Sequence, residues 1–118
     1  MKLEGGCTRR VLLVGSYAVK LPRFGYGWRS GLQGLIHNLN EATWSRYCDR
    51  YAGLCPVVFS LPGGFLNVMQ RARPLTSEEW SDFDYEAFVE HDDYRLPVEN
   101  KDDSFGIVAG RIVAVDYG

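Results

Sequence analysis

Arg10-Val-Leu-Leu-Val-Gly-Ser-Tyr-Ala-Val-Lys-Leu-Pro22 is the stretch that decides the fold. It holds two short apolar runs rich in β-branched residues, parted by Gly15-Ser16. A two-residue turn signal between such runs reads as a β-hairpin. The same pattern returns twice. Residues 56–61 and 65–70 flank Gly63-Gly64, and residues 105–108 and 111–115 flank Ala109-Gly110. Tight hairpins join antiparallel neighbours, so the expected sheet is mainly antiparallel.

Between the first two hairpins the period changes. Over residues 30–51, Leu32, Leu35, Ile36, Leu39, Thr43 and Tyr47 fall three or four apart. That spacing predicts a helix with a one-sided apolar stripe. Gly34 weakens its first turns, and Gly53 suits a stop beyond its end. Thr76-Ser77-Glu78-Glu79 is a capping box. It predicts a short helix carrying Trp80, Phe83, Tyr85 and Phe88. Residues 92–103 are polar and contain Pro97, which reads as a loop. The expectation is an α+β domain: a mainly antiparallel sheet, one principal helix packed on it, a short helix and a C-terminal β-hairpin. No linker divides residues 1–118, so one domain is expected.

Composition narrows the function. The chain has 118 residues, 46% hydrophobic and 24% charged, which places it with globular rather than disordered proteins. A net charge of −2 gives no wholesale basic surface for nucleic acid, although Arg9, Arg10, Lys20, Arg23 and Arg29 make the first quarter locally basic. No apolar run approaches a membrane span, and the first residues lack the apolar stretch of a signal peptide. Cys7, Cys48 and Cys55 make an odd count, and with His37 they fit no compact zinc spacing. The reading is reduced thiols and a cytoplasmic protein, in the host cytoplasm if it is phage-encoded.

The order of elements, with Lys20, Glu41 and Asp116 at consistent places, resembles the small lobe and nucleotide cleft of the protein-kinase-like superfamily. Tyr17-Ala-Val-Lys20 resembles the strand whose lysine contacts nucleotide phosphates. Glu41, in Asn38-Leu-Asn-Glu41-Ala, matches the helix glutamate that pairs with that lysine. Met69-Gln-Arg-Ala-Arg-Pro74 lies where the family places its hinge and adenine edge. Asp116-Tyr117-Gly118 matches the motif whose carboxylate holds the nucleotide's magnesium. Counting back from Asp116, the resemblance assigns Ser104 to the second metal slot and Glu99 to the catalytic base. His91-Asp92 looks like the His-x-Asp motif but stands in the wrong register. The departures are three: Glu and Ser replace the family's Asp and Asn, no G-x-G-x-x-G precedes Lys20, and the family's helical lobe is expected to be missing.

Two main function classes remain open from these readings, with direct nucleic-acid binding through the locally basic first quarter a third that the overall charge argues against. One is a non-catalytic binding or inhibitory protein on a degenerate kinase-like scaffold, acting on a host protein complex that itself binds nucleic acid. Small, acidic, aromatic-rich proteins of this sort resemble phage and mobile-element accessory proteins, including anti-CRISPR inhibitors. Phe24, Tyr26 and Trp28, in a Gly-rich loop, are its candidate contact residues. This class needs no cofactor. The other is a small Mg-ATP-dependent phosphotransferase or ATP-binding regulator. It would use Lys20, Glu41 and Asp116, with Glu99 as base and Ser104 beside the metal. A second copy is a further candidate partner, because a missing lobe leaves apolar surface to cover.

Overall fold

The computed structural model describes residues 2–5, 8–46 and 53–118. Seven strands and three α-helices follow in order: β1 (Lys2–Gly5), β2 (Arg9–Val14), β3 (Tyr17–Pro22), α1 (Trp28–Ser45), β4 (Val57–Leu61), β5 (Leu66–Gln70), α2 (Ser77–Asp82), α3 (Tyr85–Val89), β6 (Phe105–Val108) and β7 (Arg111–Ala114). The fold is α+β. Five antiparallel strands form one sheet in the order β1-β2-β3-β5-β4, and β6-β7 form a separate antiparallel hairpin. Strand β1 is an addition to the hairpin reading.

The three turns explain the three strand pairs. Val14 pairs Tyr17 across Gly15, which sits at φ 55. Pro62–Gly64 make a short 3-10 turn between β4 and β5. Ala109 and Gly110 both adopt positive φ, the pairing a two-residue turn needs to match strand twist. The capping box is made in full: Thr76 Oγ1 accepts from the Glu79 amide, and Glu79 Oε1 accepts from the Thr76 amide. The expected single helix after it is two. Helix α2 stops at Asp82, and Asp84 starts α3 by accepting from the Ala87 amide.

Helix α1 lies on one face of the sheet, but not by its apolar stripe. Gly31, Gly34, Asn38, Glu41 and Ser45 are buried, whereas Leu32, Ile36 and Leu39 are exposed. Tyr47, the last member of the stripe, lies outside the described residues, as do Cys7 and Cys48. The reason is steric and polar. A side chain at Gly34 would meet the Thr8 carbonyl at 2.2 Å and Pro22 Cα at 2.9 Å, so only glycine lets α1 sit this close to β2 and β3. Asn38 then donates to the carbonyls of Lys20 and Gly64 (3.2 and 2.9 Å), and Asn67 donates to the Asn38 carbonyl (2.8 Å). Buried amides with partners stitch helix to sheet where a leucine would have no room.

The apolar core lies beside this polar layer. Phe105 is its centre, with ring centroids 4.8 Å from Phe83, 5.3 Å from Phe88 and 5.9 Å from Trp80. Leu96, Val98, Val113, Met69 and Cys55 complete it. The β6-β7 hairpin is tied to the rest at both edges: Leu54 bridges Ala114, which accepts from the Cys55 amide and donates to the Gly53 carbonyl, and Arg73 and Ile107 exchange two backbone hydrogen bonds. Cys55 is a buried thiol, and burial raises its pKa. Among the described residues no helix is long and apolar enough to cross a membrane.

Candidate functional site

The part of the inner sheet face that α1 leaves uncovered faces residues 99–106 and 115–118 across a cleft of about 840 Å³. Strand alternation decides what it holds. Arg9, Val11 and Leu13 of β2, Ala18 and Lys20 of β3, and Met69 of β5 all point inward and line it. Leu75 and Phe105 add apolar wall from the other side.

At its inner end the cleft ends in a charge network. Glu41 Oε2 accepts from Lys20 Nζ at 2.9 Å, from Arg9 Nη2 at 3.1 Å and from the Tyr117 amide at 3.2 Å. Arg9 Nη1 lies 3.0 Å from Glu41 Oε1 and donates to Asn38 Oδ1 at 3.1 Å. Arg9 Nη2 also reaches Asp116 Oδ1 at 2.5 Å. Lys20 Nζ donates to the Val115 carbonyl. Lys20 is 4% exposed, Arg9 7% and Glu41 0%, so three charges sit out of water together. Only Asp116 keeps its side chain half in solvent.

Burial alone would raise the Glu41 carboxyl, but Lys20 and Arg9 outweigh it and hold it below the usual carboxylate range. Burial pulls the Lys20 ammonium below its ordinary value, against the raising effect of Glu41 and Asp116. Burial would also lower Arg9, and Glu41 and Asp116 more than offset it.

The sequence-named residues divide into three groups. Lys20, Glu41 and Asp116 meet in one network. Glu99 lines the cleft rim but projects into solvent and pairs with Lys101 at 3.0 Å. Ser104 is buried and its hydroxyl has no hydrogen-bond partner; its backbone carbonyl, not its side chain, holds the 115–116 turn by accepting from Val115. Phe24, Tyr26 and Trp28 lie apart from the cleft and are exposed, Trp28 to 78%. The Phe24 ring lies over Gly31, and Arg23 sits over the Tyr26 ring at 4.4 Å.

No family model, curated protein or solved structure matches this chain.

Arg9 is the functional candidate that the motif reading passed over, having counted it only as local basic charge. A signal was present. Arg9 is in phase with Val11 and Leu13, so strand alternation sends its guanidinium inward. Chemically, the network presents two cations to the cleft. Among the described residues no three His, Cys, Asp or Glu side chains stand together as a metal site. Of the two residues that the resemblance assigns to magnesium, Asp116 is engaged by Arg9 and the Ser104 hydroxyl is buried.

Proposed function

We propose that this protein is a non-catalytic binding protein on a kinase-like scaffold, and that its cleft receives the phosphate groups of a nucleotide. One observation carries the reading: two buried cations, Lys20 and Arg9, share a single fully buried carboxylate, Glu41, at the end of an open cleft. Asp116 is Arg9's second partner and the replaceable one, since its side chain is half in water. A phosphate oxygen offers the guanidinium the same planar, charge-assisted contact. The volume suits a small ligand, and Val11, Leu13, Ala18 and Met69 give a base an apolar wall. Phosphoryl transfer is left out of the proposal, because Glu99 is tied to Lys101 and Ser104 faces the interior.

The test is the melting temperature with ATP, in EDTA and again with magnesium. A ligand at 100 times its dissociation constant adds about 2.7 kcal/mol to native stability, so the melting point rises by several degrees. The rise is expected in EDTA as well. Asp116→Ala frees Arg9 and is expected to strengthen that rise. A metal-ligand role for Asp116 predicts the opposite, a rise that needs magnesium and disappears in the variant. No rise at millimolar ATP in either condition overturns the proposal.

The exposed aromatic loop favours a second reading, in which the protein docks on and inhibits a macromolecular partner. Trp28 and Tyr26 remain exposed to 78% and 65% although Phe24 meets the Trp28 ring edge-on and Arg23 covers one face of Tyr26, and such side chains anchor binding hot spots. Co-purification from the native host with wild-type protein and Trp28→Ser tests it. A partner kept by one and lost by the other supports the docking role, and equal recovery overturns it.

A further inference from the structure

Helix α1 and the core both use the inner face of the five-stranded sheet, and the outer face is left bare among the described residues. The register fixes which side chains point there. Leu12, Val19, Val68 and Phe59 stand in one row straight across β2, β3, β5 and β4. Tyr17 and Leu61 extend the surface along the strands. None of these six belongs to the core or packs against it. Phe59 is 55% exposed and Tyr17 51%.

An antiparallel sheet with one wet face normally alternates apolar inward and polar outward. Here the outward positions are apolar, and the polar exceptions, Arg10 and Gln70, fall at the ends of their strands. Runs such as Val-Leu-Leu-Val in β2 are apolar on both faces, the pattern of a strand covered on both sides.

We propose that a second copy of this chain covers that face, by sheet-on-sheet packing about a two-fold axis. Two arguments choose this occupant. The first is charge. A two-fold contact sets each surface against itself, so like charges oppose each other. Among the described side chains, the outer face carries a single charge, Arg10 at its margin, and is therefore complementary to itself. The exposed α1 stripe is the rival apolar surface, but Arg29 and Arg46 flank it and no exposed acid lies on the helix to answer them. The second argument is area. Four strands of five or six residues make a footprint of about 19 by 18 Å before side-chain relief is added. With side-chain relief from projecting Phe59 and Tyr17 this approaches the roughly 500 Å² per partner at which biological interfaces begin, the size of a dimer that dissociates on dilution. Stacked sheets then lie about 10 Å apart, which suits interdigitated Val, Leu and Phe side chains.

Sedimentation equilibrium over a dilution series tests this. The wild type is expected at twice the monomer mass, dissociating on dilution, with a melting temperature that rises with protein concentration. Phe59→Ser with Tyr17→Ser should weaken dimerisation by at least about 30-fold. Both side chains are already half in solvent, so the monomer fold survives, and circular dichroism at low concentration checks that it does. Leu32→Ser with Ile36→Ser, on the α1 stripe, should leave the mass unchanged. A wild type that stays monomeric at high concentration overturns the proposal. So does a dimer broken by the α1 pair and untouched by the sheet pair.

Discussion

The two faces of the main sheet invert the usual rule. The inner face is out of water, yet it carries Arg9, Lys20 and Asn67. The outer face meets solvent, yet it carries Leu12, Val19, Val68 and Phe59. Helix α1 repeats the inversion, with glycine and polar residues beneath it and leucine and isoleucine above. Burial and polarity have thus been uncoupled in this half of the molecule, while the aromatic cluster around Phe105 obeys the ordinary rule. The lesson is a division of labour. The Phe105 cluster supplies the apolar free energy of folding. The layer under α1 holds charge in a fixed geometry, at a desolvation cost that apolar residues would not incur.

The largest effect should come from breaking the inner layer. Glu41→Ala removes the carboxylate that both Lys20 and Arg9 use, leaving two buried cations with only the half-exposed Asp116 between them. Removing one partner of a buried ion network costs about 3–5 kcal/mol. That is a large share of the total stability of a domain this size. Urea unfolding at neutral pH measures it, and a loss below about 1 kcal/mol would mean the network is solvated. The pH dependence has a definite sign. The native Glu41 carboxyl lies below its unfolded value, so its contribution is complete above the ordinary carboxylate range. It is lost as pH falls through that range toward the depressed native value. Wild-type stability should therefore drop on acidification more steeply than that of Glu41→Gln.

The sequence made the hairpins legible because turn chemistry is local: Gly15, Gly63-Gly64 and Ala109-Gly110 mark their turns by themselves. The capping box at Thr76 and Glu79 is local too. The orientation of α1 was not legible. Its heptad-like stripe points to a helix buried on leucine, and only the contact of Gly34 with Thr8 and Pro22 shows which face can approach the sheet. The site was partly legible for the same reason. Lys20, Glu41 and Asp116 stand at motif spacings and do meet. Arg9 needed the strand register, and Ser104 needed the direction of one side chain in a tight turn.

Gly34 gives the intermediate effect and tests the close approach itself. On an isolated helix, Gly→Ala gains about 1 kcal/mol of helix propensity. Here the new methyl meets backbone atoms of Thr8 and Pro22 rather than a movable side-chain tip. Overpacking of that kind costs about 1–3 kcal/mol, and the shift propagates to Asn38 and Glu41 one and two turns on. Gly34→Ala should therefore destabilise the protein and weaken nucleotide-dependent protection together. A stabilised variant would show that α1 rides further from the sheet.

The smallest effect belongs to the outer face. Phe59→Ser, measured in protein dilute enough to be monomeric, should change unfolding free energy by no more than about 0.5 kcal/mol, the range of surface substitutions. A phenylalanine deleted from a packed site costs about 3–5 kcal/mol, and that is the expectation for Phe105→Ala in the core. The contrast between two phenylalanines reads the inversion directly. If Phe59→Ser at low concentration cost as much as Phe105→Ala, the outer face would already be covered within one chain. If it costs little when dilute and more as concentration rises, the same ring is solvent-facing in the monomer and buried only by association.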